Sequence, residues 1–141
     1  MVKQIFVNLP VKNLKRTTAF FSALGFKFDK EFTDKNATCM VIGKNMYAML
    51  LVEKFFKGFL KKKGMVNAKK ASEVITALQV GSRSEVDGLV KKAVKAGAKA
   101  NKPYDYGGWM YGCSLQDLDG HIWEFFYMDL KKMRKAKKQK K

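Results

Sequence analysis

The sequence predicts an α+β fold in which two pseudo-repeated βαβββ modules form a curved mixed sheet around a cavity. Three observations lead to this prediction: both halves show strand and helix patterns in the same order, a glycine follows each predicted helix, and a turn segment precedes each last strand. One module has a helix on a single face of its sheet, so two modules are needed to enclose a cavity. We expect a single domain over 1–129, with halves at about 3–60 and 72–129.

The first half begins with a strand at 5–9, whose continuation is limited by Pro10. Asn13 is suited to cap the helix that follows, because its side chain can accept a hydrogen bond from a free backbone N–H group. Gly25 is suited to end the same helix. Further strands are predicted at 26–32, 38–42 and 46–52, of which the last two form a hairpin.

The second half repeats this order after a polar, basic linker at 61–70. Ser82 or Ser84 can cap a helix at about 85–95, and Gly97 can end it. The repeat offset grows from 69 residues at Leu9 and Leu78 to 75 residues at the turns before the last strands, so only short loop insertions separate the halves. Strands are predicted at 74–80, 98–102, 109–115 and 121–128.

The formal net charge of +17 is the most unusual feature of the composition. Lys and Arg make up eight of the eleven residues at 131–141, so 17 − 8 = 9 net positive charges remain elsewhere. We expect 130–141 to be a disordered basic tail. Since Lys, a hydrated point charge, outnumbers Arg, the surface should bind nucleic acid or acidic surfaces weakly and without specificity.

Two cysteines, Cys39 and Cys113, lie inside predicted strands without CxxC spacing. We therefore expect buried, reduced side chains and no disulfide or metal site. No apolar stretch is long enough to span a membrane, and the N-terminus lacks the pattern of a signal peptide. Cytoplasm is the expected compartment.

Three segments carry a resemblance to a known family: Phe6 to Leu14, Thr18 to Phe26 and the closing Asp117-Leu118-Asp119-Gly120-His121-Ile122-Trp123-Glu124. Together they resemble the vicinal oxygen chelate superfamily, which includes glyoxalase I, bleomycin-resistance proteins, fosfomycin-resistance proteins and extradiol dioxygenases. The resemblance covers roughly 3–129, and the most similar group is that of bacterial predicted lactoylglutathione lyases. It is specific for the fold and weak for the activity, because one fold hosts many chemistries.

The resemblance implies metal ligands on the first and last strand of each half. In this chain those four positions hold Phe6, Ile75, Met49 and Glu124, so three of them are apolar. Catalytic metal sites need several protein ligands, so no cofactor is expected, although a divalent metal is conceivable. His121 has the opposite strand parity to Glu124 and is interpreted as an exposed turn residue.

Five residues are the candidates for a site. Glu124 is the candidate catalytic residue, as a pocket acid, general base or hydrogen-bond acceptor; the alternative is a structural salt bridge to Lys or a bond to Tyr. Asn8 and Met49 are candidate ligand-binding residues on the first half. Trp109 and Tyr111 are candidates for an aromatic wall beside the Gly107-Gly108 pair, with core or dimer packing as the alternative.

The residues favour a protein that binds a small, apolar or aromatic ligand with a degenerate metal site. The first alternative is a metal-dependent lyase or isomerase of glyoxalase I (lactoylglutathione lyase) type, and whether the chain is an enzyme stays open. The second alternative is a nucleic-acid-associated protein that acts through its basic surface. A homodimer is expected because many members of the family pair.

Overall fold

The computed structural model describes residues 1–139 of the chain, which divide into two units between Asn67 and Ala68. This boundary falls inside the predicted linker at 61–70. Each unit contains one complete βαβββ module, which confirms the α+β class and the duplication. The strands form two mixed sheets, one in each unit, where the sequence predicted one curved sheet. That the two units make a single domain stays a prediction.

The first unit holds a four-stranded sheet in the order β1-β4-β3-β2. β1 runs parallel to β4, and the other neighbours are antiparallel. The strands are β1 Ile5–Val11, β2 Lys27–Asp29, β3 Ala37–Gly43 and β4 Met46–Val52, and the helices are α1 Leu14–Ala23 and α2 Glu53–Gly58.

The strand predicted at 26–32 is shorter in the structure, because β2 ends at Asp29 and a 3-10 turn, Lys30–Phe32, follows. The Asp29 carboxylate accepts a hydrogen bond of 2.9 Å from the Glu31 N–H. Its backbone carbonyl accepts a second bond, of 2.7 Å, from the Thr33 hydroxyl. Such local side-chain bonds compete with strand pairing and end the strand early.

The second unit holds a five-stranded sheet in the order β5-β9-β8-β6, with β7 also paired to β8. The parallel pair is β5 and β9, as expected from the first unit. β7 was not predicted, since 104–106 was interpreted as a loop. The strands are β5 Ile75–Gln79, β6 Lys99–Ala100, β7 Tyr104–Tyr106, β8 Met110–Gln116 and β9 Ile122–Met128, and the helices are α3 Arg83–Lys95 and α4 Leu130–Gln139.

Each core lies between the sheet and its long helix. In the first unit Leu9 and Leu50 are paired across β1 and β4 and are buried, as are Phe20 and Phe21 of α1. In the second unit the buried set is Val86, Ala93, Cys113, Leu115, Trp123 and Phe125. Burying one large apolar side chain stabilises the fold by about 1.5–3 kcal/mol, so these residues supply much of the driving force for folding.

Cys39 and Cys113 are free and buried, as predicted. Burial raises the pKa of both thiols, so both stay protonated at neutral pH. A protonated thiol is a poor nucleophile and a poor metal ligand. Both cysteines therefore act as small apolar core residues.

Asp117 organises the turn between β8 and β9. One oxygen of its carboxylate, Oδ1, accepts from the Asp119 N–H at 2.9 Å and the His121 N–H at 3.0 Å. The other, Oδ2, accepts from the Trp123 indole N–H at 2.9 Å. Burial raises the pKa of Asp117, although the charge of His121 and these donors oppose the rise. His121 is itself buried, so its interpretation as an exposed turn residue was wrong.

Gly120 is required at the same turn for two reasons. Its φ of +89° lies in the left-handed region that favours glycine. A Cβ atom there would also lie 2.8 Å from the backbone nitrogen of Lys69, which is too close for any side chain. The aspartates and glycine of the closing motif are therefore residues of the fold.

The predicted disordered tail instead forms α4 over Leu130–Gln139. Asp129 begins this helix, because its carboxylate accepts from the Lys132 N–H at 3.1 Å and its carbonyl accepts from the Met133 N–H at 3.0 Å. Met133 and Ala136 are half-buried. The prediction for 140–141 lies outside the described residues. Among residues 1–139, no helix is long and apolar enough to cross a membrane.

We expect Asp117→Ala to lower the free energy of unfolding by about 3 kcal/mol or more, since each of three buried donors loses its acceptor at a cost of about 1–3 kcal/mol. Urea denaturation followed by tryptophan fluorescence measures this loss, because both tryptophans lie in the second unit. Asp105→Ala is the matched control, since Asp105 accepts from the Gly108 N–H in an exposed turn. An equal loss in both variants would contradict the role of Asp117.

Candidate functional site

In each unit, the sheet has a second face that points away from the long helix. Strand alternation places Phe6, Asn8, Tyr47 and Met49 on this face in the first unit, which we call the α1-distal face. It places Ala77, Ser114 and Glu124 on the corresponding α3-distal face in the second unit.

The register within each unit confirms the repeat. Asn8 pairs with Met49, and Ala77 pairs with Glu124. The first members of these pairs differ by 77 − 8 = 69 and the second by 124 − 49 = 75, which are the two offsets derived from the sequence. The candidate residues Asn8 and Met49 are thus neighbours on adjacent strands, and Met49 is the structural counterpart of Glu124.

Glu124 accepts a short hydrogen bond from the hydroxyl group of Tyr104. Tyr104 is half-buried, and burial together with the Glu124 carboxylate raises its pKa far above the usual range. Tyr104 therefore stays protonated and acts as a permanent donor to Glu124. This pairing bears out the alternative in which Glu124 bonds a tyrosine, with Tyr104 as the partner that sequence reasoning did not specify.

Gly112 makes room for the pair. It lies opposite Tyr104 in the β7–β8 register, and a Cβ atom at Gly112 would lie 2.5 Å from the Tyr104 hydroxyl oxygen and 2.9 Å from Cβ of Phe126. Only glycine lets the tyrosine ring lie this close to the sheet. A glycine in mid-strand was the sequence signal that could have located the site.

Polar groups continue beside Glu124. Ser114 is the register partner of Glu124 on β8, and its hydroxyl accepts a hydrogen bond of 2.8 Å from the Asn101 side-chain amide. The α3-distal face therefore combines a carboxylate, a phenol, a hydroxyl and an amide. Such groups orient a ligand by hydrogen bonds.

The α1-distal face is more apolar. The rings of Phe6 and Tyr47 are stacked with centroids 4.8 Å apart and planes at 14°. Phe6 is 40% exposed, which is a large fraction for an aromatic side chain on a strand. The exposed Asn8 donates from its side-chain amide to the Phe6 carbonyl at 3.3 Å, so this amide is partly engaged by its own strand.

Tyr111 and Trp109 do not join Glu124. Tyr111 lies on the face covered by α3, where its hydroxyl donates to Asp87 at 2.6 Å and the Arg83 guanidinium lies 5.0 Å from its ring centroid. Trp109 lies in the turn between β7 and β8. That turn contains Gly107 and Gly108, and both glycines have a positive φ. Residues 111 and 114 of β8 are an odd number of positions apart, so their side chains lie on opposite faces of the sheet. This parity is the sequence signal that separates Tyr111 from Glu124.

The side chains of the described residues offer few grouped donor atoms for a metal ion. Within residues 1–139, no three His, Cys, Asp or Glu side chains are grouped so that they could hold a metal ion. Of the four positions at which the resemblance implies ligands, only Glu124 offers a donor atom suited to a divalent cation.

The fold and sequence are similar to those of known proteins. Residues 3–43 match the family model of the bleomycin resistance protein-like N-terminal domain. Hypothetical protein SA1046 from S. aureus is 30% identical, over 90% of this chain and 94% of that one, with a TM-score of 0.76. No protein with a curated description matches significantly.

Two further structures share the fold at lower identity. A glyoxalase/bleomycin resistance protein/dioxygenase family enzyme from Burkholderia phytofirmans has a TM-score of 0.74 at 18% identity, over 88% of this chain and 97% of that one. A bleomycin resistance determinant encoded on the transposon Tn5 has a TM-score of 0.63 at 17% identity, over 91% and 99%. The fold is that of the glyoxalase/bleomycin resistance/dioxygenase proteins. Together with the family-model match at residues 3–43, this fold supports the resemblance to the vicinal oxygen chelate superfamily.

We expect Glu124→Gln to lower the pKa of Tyr104, because the neutral amide no longer favours the protonated phenol. NMR titration of protein labelled with 13C at tyrosine Cζ resolves each phenol. Asp87→Asn is the matched control, since the bond to Asp87 is the largest cause of the raised pKa of Tyr111 on the opposite face. Each substitution should change the pKa of its own hydrogen-bonded tyrosine alone. An unchanged pKa of Tyr104 in Glu124→Gln would contradict the pairing.

Proposed function

We propose that this protein binds a small apolar or aromatic ligand without using a metal ion, and that each unit offers its own face, α1-distal or α3-distal, for contact with such a ligand. The observation that carries the proposal is the apolar and aromatic row on β1 and β4, where the exposed Phe6 stacks on the half-buried Tyr47 beside the half-buried Met49. Exposed aromatic surface is costly in water and is typical of binding sites. The row supplies contact area for a flat ligand.

Glu124 would give the α3-distal face its specificity. Tyr104 engages one carboxylate oxygen, Oε1, which leaves Oε2 to accept a bond from an N–H or O–H group of a ligand. A ligand with a hydrogen-bond donor therefore suits the α3-distal face. The Tyr104 hydroxyl holds the carboxylate by its hydrogen bond, and Gly112 leaves the space that the tyrosine ring occupies.

The donor set argues against metal-dependent lyase chemistry. Phe6, Ile75 and Met49 offer no oxygen or nitrogen donor at the positions where the resemblance implies ligands. A single carboxylate that already accepts a hydrogen bond does not hold a catalytic divalent ion. The residues at the four implied ligand positions therefore do not fit the divalent metal ion that the glyoxalase I mechanism requires. The named activity of the Tn5 relative, bleomycin resistance, concerns a small molecule and supports ligand binding.

Two further expectations stay predictions. A homodimer is proposed because many members of the family pair, and the cytoplasm is proposed as the compartment. The apolar residues at three of the four implied ligand positions do not favour a particular closeness to lactoylglutathione lyases.

The proposal is tested by NMR titration with 2-naphthol, an aromatic probe with one hydroxyl donor, in buffer containing EDTA. We expect the amide signals of Asn8, Met49 and Glu124 to shift, and those of Asp87 and Tyr111 to stay in place. Met49→Ala should weaken binding by about tenfold, because buried methylene groups contribute about 0.8 kcal/mol each.

Tyr111→Phe is the control, because it removes a hydroxyl group from the face that α3 covers and should leave the affinity unchanged. Binding that appears only after a divalent metal is added would contradict the proposal and favour the lyase alternative. Shifts centred on Tyr111 would also contradict it.

A further inference from the structure

Positive charge is concentrated on α4. Leu130–Gln139 contains five lysines, one arginine and no acidic residue, and all six cationic side chains are exposed. The half-buried positions, Met133 and Ala136, are three residues apart and occupy one side of the helix. The charges therefore cover the remaining circumference.

One of these charges is partly neutralised by its neighbours. Lys132 lines a groove of about 400 Å³ together with Asp129 and Arg83. Its charge also helps to lower the pKa of Asp105, which forms a 2.9 Å ion pair with Arg83. Lys132 therefore faces carboxylates of its own chain. The side chains left for a partner are Lys131, Arg134, Lys135, Lys137 and Lys138.

We propose that α4 binds the phosphate backbone of double-stranded nucleic acid without reading its sequence. Lys131, Lys135 and Lys138 are spaced by four and three residues, so they form one stripe along the helix. A helix of ten residues is about 15 Å long, and a duplex presents one charge for about every 1.7 Å of its axis. The stripe can therefore meet several phosphates at once.

The chemistry of α4 selects this partner over other anions. Single-stranded nucleic acid is bound through aromatic stacking, and α4 carries no aromatic residue. Insertion into a lipid surface needs an exposed apolar helix face, whereas α4 offers only Leu130 at its first position, and Met133 and Ala136 are half-buried. Base reading uses bidentate side chains, and α4 has a single arginine.

The experiment measures fluorescence anisotropy of the full chain with two labelled DNA duplexes of unrelated sequence. Contact with about four phosphates predicts equal affinity for both duplexes and a loss on the order of 100-fold between about 50 and about 200 mM salt. The variant Lys131→Gln, Lys135→Gln, Lys138→Gln should bind at least about tenfold more weakly and show a shallower salt dependence. Circular dichroism checks that its helix content is retained.

The matched control is Lys91→Gln, Lys92→Gln, Lys95→Gln, which removes three exposed charges from α3. It should change the affinity by less than about threefold, since the net charge alone acts weakly at this ionic strength. Equal weakening in both variants would overturn the proposal, because binding would then follow from net charge. Failure of the full chain to bind either duplex, or binding to phosphatidylserine vesicles in its place, would also overturn it.

Discussion

In each unit the first strand pairs in parallel with the last strand, and this pairing fixes which side chains share a face. β1 meets β4 so that Asn8 lies opposite Met49, and β5 meets β9 so that Ala77 lies opposite Glu124. A slip of one residue in the pairing of β9 would turn Glu124 towards α3 and Trp123 away from it. The buried cores and the candidate site therefore depend on the same register.

The closing motif secures that register in the second unit. Asp117 accepts bonds from the turn and from the Trp123 indole, so it anchors the beginning of β9 directly beside Glu124. Trp123 is fully buried, whereas the next residue faces the opposite side of the sheet. The motif that carries the family resemblance is thus explained by the demands of folding. Its presence says little about which reaction, if any, the protein performs.

Much of the fold could be predicted from the sequence, because its elements follow from local patterns. Asn13 and Ser82 cap α1 and α3 as expected, and the offsets of 69 and 75 residues reappear in the strand register. β7 could not be predicted, since a three-residue strand has no period to detect. The sequence predicted a disordered tail in place of α4, because the high density of positive charge was given more weight than the helix cap that Asp129 provides.

The candidate site was predictable only in part. Asn8, Met49 and Glu124 were found from strand positions, which are local information. The partner of Glu124 was not, because Tyr104 reaches it across β8 only where Gly112 leaves space, and that approach is tertiary. Tyr111, a candidate for an aromatic wall, lies on the face of the sheet opposite to Glu124, which follows from the register of β8 and β9.

The central claim is that Glu124 acts within a hydrogen-bonded pair and holds no metal ion. Titration of 15N-labelled protein with Mn²⁺ tests this claim most directly, because a bound paramagnetic ion broadens the amide signals around it. We predict that one equivalent of Mn²⁺ broadens no signal of β9 selectively. Selective broadening of Glu124 at one equivalent would show a metal site and contradict the claim.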